Sequence, residues 1–475
     1  MVCMNFFSGF EKSAKLREST ELQPHQKRVL EKLDKSPGIL LFHGLGSGKT
    51  LSAIAGTQGM KTDVVVPAAL RNNFDKEVKK HTKGYRPNIM SYEKYTRSGD
   101  PSGEALIIDE AHMMGDGSTK RTQGIVAKAP LYKRRIFLTG TPIKNKPHEI
   151  GAIMRGVRGD KSIPADETTF KERFIGTEKV SPGLLGWLKG VTKGNREYLK
   201  DPEGFRAMVS GHVDYYDPPK EGFPSVSHEV VQTEMSPEQI NHYNFAMDKA
   251  GPILSYKIKK NLPPNKQESR QLNAFLQSAR QVSNTPKAVG GPDDSPKFDE
   301  AVHRVREGNS KDPNFKALVY SNYISAGVNP YSDRLNDAGI PHAVFTGKLN
   351  DKERKKIVDD YNKGKVKALL ISGAGAQGLD LKGTKLIQIM EPHWNDTKLE
   401  QATGRGIRYK SHNHLPEDER HVHVERHQSI LPLSLLNKIT FSDRDRSADE
   451  YLDNLSKDKQ KLTDQFLDIL KEEGV

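Results

Sequence analysis

The chain has 475 residues, 35% hydrophobic and 28% charged, with a formal net charge of +13; this predicts about two to three soluble domains and favours a polyanionic partner. A single cysteine, Cys3, excludes an internal disulfide and a cysteine-built zinc site, and fits a reducing, cytoplasm-like compartment. No apolar run approaches a membrane span, and the first ten residues lack the basic leader of a secretion signal, so neither membrane nor export is expected.

In chain order, short runs rich in Val, Ile and Leu alternate with amphipathic stretches, which predicts parallel sheets flanked by helices. A first block places strands at 38–43, 63–67, 88–92, 105–109 and 135–139. Residues 145–300 hold many Pro and Gly with no clear run of parallel strands and read as an insertion and hinge. Within it, 237–250 and 267–282 have helical periodicity, and Lys257, Lys259 and Lys260 read as a solvated helix face. A second block places strands at 316–320, 342–346, 367–372, 386–391 and 421–425, and 448–473 reads as an amphipathic terminal helix. The predicted class is α/β, two tandem parallel-sheet lobes with a helical insertion: first lobe 1–232, insertion 233–300, second lobe 301–475.

His43, Gly44, Leu45, Gly46, Ser47, Gly48, Lys49 and Thr50 follow a predicted strand and precede a predicted helix, the setting of a phosphate-binding loop. Glycines let the backbone curl so that its N–H groups face phosphate oxygens at a helix N-terminus. Gly44, Gly46, Ser47 and Gly48 thus become nucleotide contacts, Lys49 a neutraliser of the terminal phosphates, and Thr50 a magnesium ligand; His43 stands where the strict pattern has Gly. Asp109, Glu110, Ala111 and His112 end another apolar strand, at the sheet edge where open α/β folds bind ligands. That position suits Asp109 to magnesium and frees Glu110 to orient the attacking water.

These two motifs, then Leu138-Thr139-Gly140-Thr141-Pro142 and Gln401-Ala402-Thr403-Gly404-Arg405-Gly406-Ile407-Arg408, occur in the order found in superfamily-two helicases with a DEAH-type second motif. The sequence resembles that superfamily, and more narrowly its Swi/Snf-like branch and the nucleoside triphosphatases of large DNA viruses. Leu22-Gln23-Pro24-His25-Gln26, Val64-Val65-Val66-Pro67 with Asn73 and Phe74, the stretch Ser372 to Leu381, and Glu391-Pro392-His393-Trp394-Asn395 carry the narrower likeness. The resemblance implies two RecA-like lobes with ATP and Mg2+ between them, Gln26 reading the adenine, and Gln401, Arg405 and Arg408 acting on the terminal phosphate from the second lobe. It implies nucleic acid lying across Pro67, Asn73, Ser91, Tyr92, Thr139, Thr141, Ser321, Asn322, Thr346 and Gly347, groups suited to phosphates without sequence preference.

From that likeness the expected activity is an ATP-driven motor on double-stranded DNA, with a strand-separating or branch-migrating helicase and a non-catalytic nucleic-acid clamp as rivals. The short flanks of the motif-bearing region and the viral likeness predict a viral or phage motor in the host cytoplasm, with replication, recombination or transcription proteins as partners. Two features read as structural: the histidines at 412, 414, 421, 423 and 427, of which His421 and His423 share a strand face, and Trp187 and Trp394, which read as packing residues.

Overall fold

The computed structural model describes residues 15–219, 221–347, 349–372, 379–392, 404, 406–433 and 444–475. The chain divides into two compact units, one of residues 1–177, 197–219 and 461–475, the other of 178–196 and 220–460.

In the first unit the apolar runs form strands Gly38–His43, Thr62–Val66, Asn88–Ser91, Ala105–Ile108 and Arg134–Thr139, joined by Val213–Tyr216. Neighbours are all parallel, in the order 213–216, 38–43, 134–139, 105–108, 62–66, 88–91. Helices cover both faces, so strands such as Gly38–His43 and Thr62–Val66 are buried along their whole length. That is why their central residues, Ile39 to Phe42 and Val64 to Val66, read as unbroken apolar runs rather than as alternating ones. Leu40, Val65, Leu106 and Phe137 fill one face, and Ile39, Leu41, Val64, Ile107 and Ile136 the other. The chain's last turns join the first of these cores: Phe466 lies 4.8 Å from Phe205 and 5.7 Å from Phe170 between ring centres.

The second unit repeats the plan with strands Ser225–Glu234, Ala317–Tyr320, His342–Phe345, Ala368–Ile371, Leu386–Ile389 and His421–Ile430. These too are parallel throughout, in the order 225–234, 421–430, 386–389, 317–320, 368–371, 342–345. Helices Pro237–Asp248 and Lys266–Asn284 pack with the first turns of Ala448–Gly474 through Tyr243, Leu272, Leu276, Tyr451 and Leu452.

Four expectations change. Residues 233–300 fall within the second unit, and 461–475 within the first, because Phe466 and its neighbours complete the first unit's core. The region 145–300 does supply parallel strands, Val213–Tyr216 and Ser225–Glu234, one at the edge of each sheet. Lys257 is not solvated: fully buried, it bonds to Glu268 at 2.8 Å. Trp187 is not a packing residue, since 70% of it is exposed on the short helix Gly183–Leu188. Trp394 lies outside the described residues. His421 and His423 share one face, as expected, bonded to Ser225 and Ser227 of the neighbouring strand. Beside them Arg304 already supplies a cation to Glu229 and Glu425, 3.1 Å from each.

Candidate active site

Three adjacent strands of the first unit, Gly38–His43, Arg134–Thr139 and Ala105–Ile108, deliver three motifs to one carboxyl edge. From the first strand the chain turns through Gly44–Gly48 into helix Lys49–Gly56. Gly46 and Gly48 take φ of 84° and 74°, a left-handed backbone that side-chain-bearing residues avoid. Lys49 Nζ donates back to the carbonyls of His43 and Gly44 at 2.9 and 3.0 Å, so the ammonium is held across the mouth of the loop. Ser47 is buried, and its Oγ has no hydrogen-bond partner among the described residues. Thr50, half-buried, follows at the start of the helix.

The helix Pro24–Lys35 sets Gln26 against this loop, where its Nε2 donates to the Gly48 carbonyl at 3.4 Å. His25 bonds to the Ser47 carbonyl at 2.8 Å and stacks on Tyr216, 3.7 Å between ring centres. Beneath the loop, the buried His43 imidazole bonds to Asp214 at 2.7 Å, and Arg28 donates to both Asp214 oxygens at 2.7 and 3.0 Å. Burial alone raises the Asp214 carboxyl, but hydrogen bonds from His43 and Arg28 and the charge of Lys32 bring it down to about 2. Burial lowers the His43 imidazole, which favours its neutral form. This network was missed from sequence; the only signal was a histidine where the loop pattern has glycine.

At the end of strand Ala105–Ile108, burial and the neighbouring Glu110 push the Asp109 carboxyl up to about 6. Burial lowers the Lys49 ammonium, while Glu110 and Asp109 pull it the other way. A carboxylate raised in this manner gains from a cation, so Asp109 with the Thr50 hydroxyl fits the oxygen-ligand chemistry of magnesium. Glu110 sits at φ 52°, ψ 52°, an uncommon conformation for a residue with a side chain and of the kind found at active sites. Tyr92 OH holds the turn by donating to the carbonyls of Asp109 and Glu110 at 2.7 and 3.0 Å. His112 Nδ1 lies 3.0 Å from Thr139 Oγ1, which also accepts from the Thr141 N–H at 3.1 Å. His112 Nδ1 also lies 3.3 Å from Glu110 Oε2, so a change at the carboxylate pair has a short polar route to the Thr139–Thr141 loop.

In the second unit Glu391 is fully buried and organises the ends of two strands. It accepts from Ser321 Oγ at 2.6 Å and from the Asn322 N–H at 2.8 Å, and Asn284 bonds to it as well. Arg408 Nε donates to the Gly404 carbonyl at 3.3 Å, and its guanidinium lies 3.6 Å from Asp380. Gln401 and Arg405 lie outside the described residues, as do Gly373 to Gly378.

The expected nucleic-acid contacts divide by exposure. Asn73, Thr141 and Gly347 are exposed, and Pro67, Ser91, Asn322 and Thr346 half-buried. Tyr92, Thr139 and Ser321 are at most 2% exposed, and their hydroxyls are committed to Asp109 and Glu110, to His112 and to Glu391. Their side chains are internal braces rather than exposed groups.

Comparison with known proteins matches residues 88–288 to an SNF2-related domain and 297–410 to the helicase conserved C-terminal domain. A putative ATP-dependent RNA helicase of Acanthamoeba polyphaga mimivirus is 28% identical over 472 residues, covering 95% of this chain and 97% of that protein. A termination factor NPH-I homolog of African swine fever virus is 23% identical over 563 residues, covering 93% of this chain and 76% of its own. Among solved structures, the Sulfolobus solfataricus SWI2/SNF2 ATPase core in complex with dsDNA aligns over 94% of this chain and 95% of its own, at 20% identity and a TM-score of 0.36.

Proposed function

We propose that this chain, which belongs to the Swi/Snf-like branch of the superfamily-two helicases and is a nucleic-acid-dependent ATPase, translocates along double-stranded DNA without sequence preference. The observation that carries the reading is the meeting of Lys49, the Asp109–Glu110 pair and the His112–Thr139 hydrogen bond at one sheet edge. It supports phosphate neutralisation, water activation and a link to the exposed Thr141 at one edge of the sheet.

In this mechanism the loop N–H groups and Lys49 bind the phosphates, and Gln26 and His25 flank the base. Magnesium held by Asp109 and Thr50 would offset charge on the terminal phosphates. Glu110 accepts the proton of a water whose oxygen attacks the terminal phosphorus, as the bond to the bridging oxygen breaks and ADP leaves. Gln401, Arg405 and Arg408 would, as the family resemblance implies, stabilise the charge on the transferring group. The SNF2-related match favours duplex over single strand, while the mimivirus relative's name, an RNA helicase, supports the strand-separating rival.

The test is steady-state ATP turnover without nucleic acid and with single-stranded DNA, duplex DNA, forked DNA and RNA, with Lys49→Ala as the blank. Stimulation by blunt duplex DNA is expected. Preference for single strands, forks or RNA would replace the proposal with the helicase, and turnover no higher than the blank would leave a clamp.

A further inference from the structure

Strands Ile175–Val180 and Gly194–Leu199 pair as a two-stranded sheet whose connection carries the helix Gly183–Leu188. Four large apolar side chains on that helix stand in solvent: Leu184 is 73% exposed, Leu185 69%, Trp187 70% and Leu188 65%. A cluster of this kind on a charged protein marks a contact surface.

The tip is firmly seated. The Val191 N–H donates to the Gly186 carbonyl at 2.9 Å, and a Cβ at Gly186 would come within 3.1 Å of the Tyr256 ring. The buried Lys257 ammonium donates to Thr192 Oγ1 at 3.1 Å and to Glu268 at 2.8 Å, tying the connection to helices Gly251–Lys259 and Lys266–Asn284. The leucines and Trp187 are thus presented outward on an anchored base.

The surrounding charge selects the occupant. Residues 178–196 carry Lys179, Lys189, Lys193 and Arg196, and since Glu178 and Asp458 lie 3.6 and 3.9 Å from Arg196, the three lysines supply the net positive charge of the tip. A second copy of the chain would set those cations against each other. Nucleic acid satisfies both parts, because apolar side chains wedge against unstacked bases and an indole stacks on them while cations take the flanking phosphates. We propose that this tip contacts unpaired bases, such as those bordering an opened stretch of an otherwise duplex track. The inference rests on the nucleic-acid motor reading and adds to it a wedge that the ATPase motifs do not supply.

The chain has two tryptophans, so the difference in emission between the wild-type protein and Trp187→Phe isolates Trp187. Titration with a forked duplex or an oligo-dT strand is expected to quench that emission, and blunt duplex to quench it much less. Trp187→Ser is expected to weaken fork binding, read by anisotropy of a labelled fork, roughly 5- to 150-fold, the loss of one stacked base, while Trp187→Phe retains it. Undisturbed Trp187 emission in a protein that binds the fork would overturn the proposal, as would equal quenching by blunt duplex. A concentration-dependent blue shift without nucleic acid would overturn it in favour of self-association. No binding of any nucleic acid by anisotropy would instead remove the motor reading on which it rests.

Discussion

Replacing Asp109 by Asn should make the nucleotide-free protein more stable while abolishing turnover. Burial and Glu110 hold the Asp109 carboxyl at about 6 against an ordinary 3.8. At about 1.4 kcal/mol per tenfold change in proton affinity, keeping it ionised at neutral pH costs the fold roughly 3 kcal/mol. An acid whose value is raised by folding binds its proton more tightly in the folded state. The penalty is therefore absent below about pH 4, grows between about 4 and 6, and is full above about 6. Asn keeps an oxygen that can accept from the Glu110 N–H, as Asp109 does now at 3.0 Å, without the charge. For a unit of this size each kcal/mol is worth about 2–4 °C, so Asp109→Asn should raise the Tm by roughly 6–12 °C above neutral pH. Calorimetry across pH, without magnesium or nucleotide, checks this. An equal Tm at neutral pH, or a gain that does not shrink as pH falls toward 4, would refute the electrostatic reasoning.

Arg408→Ala should keep nucleotide binding, read by a fluorescent ATP analogue, and lose about 10³- to 10⁵-fold in turnover, the worth of a phosphate-sensing arginine; unchanged turnover would remove the second unit from the reaction. Asp214→Ala leaves His43 and Arg28 without their buried carboxylate and should destabilise the first unit by about 3–5 kcal/mol in denaturant unfolding, a larger loss than Asp214→Asn. Duplex affinity should fall steeply with salt, by about 10³- to 10⁵-fold between roughly 50 and 200 mM for six to ten phosphate contacts. Fluorescence anisotropy measures it, and a flat salt profile would argue against phosphate binding.

Central parallel strands were legible because burial on both faces leaves runs of apolar residues, as in Ile39 to Phe42 and Ala105–Ile108. One edge strand of each sheet was not. Val213–Tyr216 contains Asp214, which reads as a loop residue until His43, Arg28 and Lys32 are seen to satisfy it, and Ser225–Glu234 is largely polar along its length. Motif order placed Lys49, Asp109 and Glu110 at one edge, but a motif does not say which way a hydroxyl points. Tyr92, Thr139 and Ser321 consequently looked like surface contacts although their partners lie inside. Trp187 failed for the opposite reason: local sequence cannot show that no core closes over an apolar helix. The terminal helix was predicted as a helix, but its residues 461–475 join the first unit through pairings, such as Phe466 with Phe205, that span the chain.

Displacement of a third strand from a DNA triplex tests the central claim most directly, since a motor moving along duplex strips the third strand without parting the other two. The account predicts ATP-dependent displacement by the wild-type protein, none by Lys49→Ala, and an intact underlying duplex. Separation of the duplex itself, or no displacement under conditions where duplex DNA stimulates ATP turnover, would contradict it.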